Sequence, residues 1–274
     1  MRFWPMAPIF AAMAACFPAA PVKRPLQVAA AIPVAPAALV VKPPETPPLK
    51  PELTTVEISG ITFEGVSFDT KIHRLTVVDQ ASGPGTEFAD AAAVARAHGA
   101  LAAANAGFFT PEGEPLGLVV SHGKSTGAWN AASSLGSGAW REDTAGNVAI
   151  SRRENLGRAT ARQSRQLIQA GPMLRENGRS IGGLERQKIS VRMLVLSDGG
   201  SRWWIGRSTP CSLAALGDAL SAGNPAGWPV RDALNLDGGR SADLWVSSAI
   251  SGGPLVRRSP WNRPVRNFLI LIPR

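Results

Sequence analysis

The proline spacing between Pro21 and Pro51 constrains this chain more than any other feature. The segment PVKRPLQVAAAIPVAPAALVVKPPETPPLKP is Ala, Val and Pro with a few charges. Each proline removes a backbone donor and fixes φ, so neither a helix nor a central strand can form across it. Residues 21–51 therefore read as a semi-rigid extended tether with no chemistry of their own. The fold must come from residues 52–274, which leaves 274 − 51 = 223 residues. That is enough to bury a substantial core.

Upstream, MRFWPMAPIFAAMAACFPAA places Arg2 before an apolar run that ends in small residues. This is the pattern of a secretory signal segment over 1–20, and its run is shorter than the roughly 20 apolar residues of a spanning helix. Met13-Ala14-Ala15-Cys16 also resembles a bacterial lipobox, with Met13 where Leu is usual. Two outcomes stay open: a membrane tether through a lipidated Cys16, or cleavage after an alanine such as Ala20. Either way the expected location is exported, periplasmic or cell-envelope. The chain has two cysteines, Cys16 and Cys211. Once Cys16 is removed or lipidated, Cys211 has no disulfide partner within the chain. It follows Pro210 at an expected helix start and reads as a buried structural thiol rather than a nucleophile.

A formal charge of +9 and a pI near 10.7 raise an anionic partner as one reading, beside the plainer one of a solvated basic surface. The basic residues are scattered. Zinc-finger spacing, aromatic–basic RNA-binding signatures and basic heptads are absent from the sequence, which sets nucleic acid aside.

Within 52–274, VEISGITFEGVSFD reads as strands punctuated by Gly60 and Gly65, and HRLTVVDQ as another strand. FADAAAVARAHG predicts a helix capped by Gly99, and LAAAN a small-residue strand running into a loop. Asn177-Gly178 and Asp198-Gly199 are hairpin signals, the second joining SVRMLVLS to SRWWIG. Ser208-Thr209-Pro210 predicts a helix start, with Leu213, Leu216, Gly217 and Leu220 on one face. DALNL and FLILI complete the strands. Many strands with two or three helices out of strict alternation predict an α+β domain built on a strand-rich, mixed sheet core.

The sequence holds no P-loop, no GxGxxG after a strand, no HExxH and no GxSxG. A histidine-based triad would have to draw on His73, His98 or His122, of which His122 in SHGK is best placed. Two segments offer more. NAGFFTPEGEPLGLVVSHGK (105–124) combines the amide of Asn105, an unhindered backbone at Gly107 and the apolar wall of Phe108 and Phe109. Glycine-rich hairpin with both rings in the core is the plainer reading of it. NLDGGRSADLW (235–245) brings Asp237 to a turn where Gly238 and Gly239 expose N–H groups. Here the plainer reading is a tight turn capped by its own aspartate.

Taken in order, these segments resemble the phosphodiester glycosidase domain, over roughly residues 56–272. The resemblance is carried by NAGFF with PLGLVVSHGK, QAGPMLRENGR (169–179), Arg192 opening a strand, ALNLDGGRSADLW, and RPVRNFLIL (263–271). It implies hydrolysis of the bond between a sugar's anomeric carbon and a phosphodiester. The implied site residues are Asn105, Gly107, Arg192, Asp237, Gly238, Gly239 and Ser241, with Arg263 and Asn267. Arg240 stands where the family usually has a small residue.

Chemistry alone reaches a compatible picture. Ordinary glycosidases use two carboxylates, one to protonate a poor leaving oxygen. A sugar phosphate leaves readily because phosphate's second pKa is about 6, so one carboxylate plus donors on the phosphate could suffice. Asp237 would serve as base or nucleophile. Arg192, Arg240 or Arg263 would grip the phosphate bidentately, with help from the Gly238 and Gly239 N–H groups. Asn105 would orient sugar hydroxyls beside Phe108. Glu112 and Glu114 are the candidate second carboxylates. Asp237→Asn is expected to abolish turnover and hold stability within about 1 kcal/mol. No cofactor is expected. Asn235, Asp237, Ser241 and Asp243 offer oxygens to a cation such as Ca2+, though without EF-hand spacing. The expected partner is a sugar-phosphate glycoconjugate. Two rivals remain: a non-catalytic envelope protein binding phosphorylated polysaccharide or glycolipid, and a phosphodiesterase cutting the P–O bond. Against the second, the sequence shows no two-metal carboxylate cluster.

Overall fold

The computed structural model describes residues 47–274. The expected signal segment with Cys16, and the expected tether up to residue 46, lie outside the described residues. Among the described residues, no helix is long and apolar enough to cross a membrane.

Three sheets build the domain. The first has seven strands in the order β1 (Glu52–Ile58), β2 (Ile61–Asp69), β13 (Arg202–Cys211), β12 (Ser190–Ser197), β14 (Asp232–Leu236), β10 (Met173–Glu176), β11 (Arg179–Ser180). The second runs β16 (Leu255–Arg258), β15 (Asp243–Val246), β4 (Ala102–Asn105), β17 (Asn267–Pro273), β3 (His73–Asp79). The third runs β6 (Lys124–Thr126), β5 (Val119–Ser121), β9 (Gln166–Ala170), β7 (Gly138–Glu142), β8 (Val148–Arg152). Every pairing between these strands is antiparallel, which corrects the expected mixed sheet core. Parallel neighbours need long crossovers, and this chain instead returns by hairpins and short loops.

Side-chain alternation sets the layers. Met193 and Val195 of β12 and Leu269 and Leu271 of β17 meet in a central core between the sheets. Their neighbours Leu194 and Leu196 face the opposite way, toward α4 (Leu213–Ala222). Phe268 and Ile270 likewise face α1 (Ala91–His98). Leu216 and Leu220 of α4 are buried on the first sheet. Each stabilises by about 1.5–3 kcal/mol, and Leu216→Ala would cost about 2–5 kcal/mol. Asp90 caps α1 by accepting from Ala93 N–H at 2.7 Å, and Gly99 closes it in the left-handed region as expected. The other two helices among the described residues, α2 (Arg153–Leu156) and α3 (Arg158–Arg162), are single turns.

Two local expectations need correction. The α4 helix does not open at Ser208-Thr209-Pro210; β13 runs on through Cys211, and Ser212 caps the helix by accepting from Ala215 N–H at 3.1 Å. Pro210 falls where the β12–β13 register slips, so its missing N–H interrupts no regular ladder. Cys211 is consequently buried at a strand end, and burial pushes its thiol up rather than down. Gly65 does not break β2. It lies within the strand opposite Gly206, because the Trp204 indole covers the spot and a Cβ would sit 2.3 Å from that ring.

Candidate active site

The register between β12 and β14 positions the acid. Leu236 pairs with Met193, so the next step brings Asp237 level with Arg192. Asp237 N–H donates to the Ala106 carbonyl at 2.8 Å, tying the end of β14 to the segment that leaves β4. The chain then turns at Gly238, where a Cβ would lie 2.3 Å from the Val191 carbonyl oxygen. Gly239 follows with φ of 61°, and a single 3-10 turn spans Gly239–Ser241.

A pocket of about 330 Å³ opens here, lined by Phe108, Lys188, Ser190, Arg192 and the segment 235–240. Among the described residues, Asp237 is the one carboxylate on its wall. The residue keeps some exposure to the pocket while protein encloses most of it. That desolvation lifts its carboxyl to about 6; the Ser241 hydroxyl, the Gly238 N–H and the Lys188 ammonium act in the opposite direction. Asp237 makes no salt bridge among the described residues.

Cations flank it unequally. Arg192 is 8 % exposed and burial lowers its pKa. Its Nε donates to the Cys211 carbonyl at 3.1 Å and its Nη2 to the Lys188 carbonyl, so much of this guanidinium braces the start of β12. Lys188 and Arg240 are exposed on the pocket wall. Arg263 is exposed too, but its contact with the site is a backbone one, from its N–H to the Arg240 carbonyl at 3.2 Å. It does not line the pocket.

The asparagines have other duties than those expected. Asn105 is buried; its Nδ2 donates to the Asp237 carbonyl at 2.7 Å and its Oδ1 accepts from Asp243 N–H at 2.9 Å. Both amide functions hold the turn, which corrects the expectation that Asn105 orients sugar hydroxyls. Asn267 is also buried and accepts from Gly107 N–H at 2.6 Å, and a Cβ at 107 would crowd the same oxygen at 3.2 Å. Phe108 lines the pocket while packing against the central core.

The remaining candidates fall elsewhere. Glu112 and Glu114 are exposed and His122 sits at a turn with φ of 49°, all off the pocket wall. Asp243 is buried, accepting from Ala91 N–H at 2.9 Å and pairing with Arg258 at 2.6 Å. It is therefore committed away from Asp237, and among the described residues no three acidic, His or Cys side chains cluster as metal ligands. Lys188 and Ser190 were missed in the sequence. Nothing in local pattern marks them, and only the strand register brings them to Asp237.

The model of the phosphodiester glycosidase family matches residues 98–272. Among solved structures, a hypothetical protein from Synechocystis shares the fold at 18% identity and TM-score 0.56, over 81% of this chain and 61% of that one. The zebrafish N-acetylglucosamine-1-phosphodiester alpha-N-acetylglucosaminidase catalytic domain, auto-inhibited by its pro-peptide, shares it at 17% identity and TM-score 0.55, over 82% and 83%. The chain thus spans under two thirds of the Synechocystis protein. No curated protein matches the sequence.

Proposed function

The chain belongs to the phosphodiester glycosidase family, and from that premise we propose that it hydrolyses the bond between a sugar's anomeric carbon and a phosphodiester. The observation that carries this reading is the lone pocket carboxylate, Asp237, raised to about 6 and facing Lys188 and Arg240 without an ion pair. A carboxylate whose pKa lies near 6 is basic enough to act and ionised enough at neutral pH to be ready.

In the reaction, Asp237 takes a proton from the attacking water, or attacks the anomeric carbon itself to form a glycosyl ester that water then hydrolyses, releasing the sugar and freeing the carboxylate. The C–O bond to phosphate breaks, and its electron pair leaves on the phosphate oxygen. Protonation by a second carboxylate matters little, because a phosphomonoester is already a stable leaving group. Lys188, Arg240 and the free part of Arg192 face the developing phosphate charge. Asn105 and Asn267 act one step back, as positioning residues that fix the turn and the Gly107 backbone. The natural setting we propose is an envelope or extracellular glycoconjugate, reached by export through the signal segment, with lipidation at Cys16 as one route to a membrane tether.

The test is hydrolysis of a panel of sugar-1-phosphodiesters in oxygen-18 water by the wild-type chain and by Asp237→Asn. Label in the released sugar, from the wild type alone, supports the proposal. Label in the phosphate would replace it with a phosphodiesterase. Saturable binding without turnover would replace it with a binding protein.

A further inference from the structure

Beside the Asp237 pocket lies a second one of about 260 Å³, which shares Gly239 with it. Strand alternation separates the two, since Ser190 and Arg192 line the first and Val191 between them lines the second. Its other walls are Arg207 of β13 and the edge strand β16, with Val256, Arg257 and Arg258.

Charge is unbalanced there. Glu64 grips Arg257 through Nε at 2.9 Å and Nη2 at 2.6 Å, and Asp243 holds Arg258 at 2.6 Å. Arg207 is left with a distant share of Glu64, its Nε 3.8 Å from the oxygen that Arg257 already contacts at 2.9 Å. That Nε is buried without a hydrogen-bond partner among the described residues, while 17% of the side chain's surface remains exposed. Three guanidiniums therefore meet two carboxylates, at a mouth roomy enough for a small anion. In the turn between the lining residues Ser259 and Asn262, Trp261 is 79 % exposed. An exposed indole of that size beside a polar pocket is a surface suited to a sugar ring.

We propose that this pocket binds a second anionic group of the substrate. The preferred substrate is then a glycan carrying a further phosphate or carboxylate close to the bond that Asp237 acts on. A planar guanidinium matches either anion bidentately and favours the more highly charged phosphate. This inference rests on the glycosidase reading above, and its test separates the two.

Three sugar-1-phosphodiesters are compared, identical except that the aglycone ends in a hydroxyl, a carboxylate or a phosphate. The phosphate-terminated compound is expected to show about tenfold higher kcat/KM than the hydroxyl one, with the carboxylate between. In Arg207→Gln and in Arg257→Gln that ratio falls toward one. Arg257 lies on an exposed edge, so its variant keeps the test alive if Arg207→Gln fails to fold. Equal kcat/KM for all three compounds, or a preference that survives both substitutions, overturns the second subsite. Where no compound is hydrolysed, titration calorimetry of the Asp237→Asn chain with glucose 1-phosphate and glucose 1,6-bisphosphate decides. Tighter bisphosphate binding that Arg257→Gln removes would keep the subsite while the glycosidase reading fails. Equal binding of the two ligands would end the subsite as well.

Discussion

The Asp237 turn and the Asn105–Gly107 segment touch one another, yet their polar groups face opposite ways. The turn presents a carboxylate without an ion pair to a pocket, raised to about 6. The segment turns both functions of Asn105 to backbone groups and receives the Gly107 N–H on Asn267. One region keeps its chemistry available, and the other uses hydrogen bonds to hold the first in place. The same division separates Asp237 from Asp243, six positions along the loop. Burial raises both, but Asp243 is held by Arg258 and by the Ala91 N–H at the start of α1. A motif can therefore hold available and scaffolding side chains next to one another, and hydrogen-bond partners tell them apart.

The sharpest way to break this division is Asp237→Asn. Turnover of sugar-1-phosphodiesters is expected to fall by at least about a thousandfold, as removal of a reacting side chain does elsewhere. An active variant would move Asp237 to the scaffolding side. With Asp237 intact, kcat/KM should rise with pH through about 6 and then level, because the ionised form is the active one. A flat profile between pH 5 and 7 would show that another group carries the reaction.

Asn105→Ala probes the other region. It strips two hydrogen bonds from buried backbone groups at the Asp237 carbonyl and the Asp243 N–H. A loss of roughly 2–4 kcal/mol in urea unfolding is expected, with activity falling because the turn drifts. A variant of wild-type stability but reduced sugar affinity would instead return Asn105 to the role of a sugar ligand.

How far this was legible in the sequence varies with the range of the interaction. The Gly99 cap, the Asn177-Gly178 hairpin between β10 and β11, and the LAAAN strand depend on neighbours and were readable. Pro210 misled because a proline suits the first turn of a helix and an irregular strand end equally, and only the slipped β12–β13 register selects the second. Asp237 and its glycine turn could be singled out from local motif and resemblance, and both line the pocket. The direction in which Asn105 points could not, since its partners lie 132 and 138 residues away. Lys188 and Ser190 reach the pocket through the same long-range pairing.

Asp237→Asn also tests desolvation through stability. An unfolded aspartate titrates near 3.9, so a folded value of about 6 means that the native state holds the extra proton between those values. The stability contributed by Asp237 is then greatest below about pH 4, falls as pH rises toward 6, and stays level above. Asparagine carries no such penalty. The variant is expected to match wild type near pH 4 and to exceed it by roughly 2 kcal/mol at pH 7.5, in paired urea titrations. This revises the near-neutral effect expected from sequence. Equal stability at both values would mean that solvent reaches the carboxylate freely.

The smallest expected effect separates the two exposed arginines. Arg240 lines the pocket, whereas Arg263 meets it through a backbone N–H alone. If the pocket wall receives the phosphate, Arg240→Ala raises KM by about three- to tenfold, the range of one solvent-exposed charge-assisted contact, and weakens further with added salt. Arg263→Ala keeps the backbone bond to Arg240 and should leave both KM and its salt dependence as they are. Equal losses from the two substitutions would point to a diffuse basic surface that steers anions toward the site. A loss from Arg240→Ala alone would place the phosphate at the mouth of the Asp237 turn, between the Asp237 carboxylate and the Arg240 guanidinium.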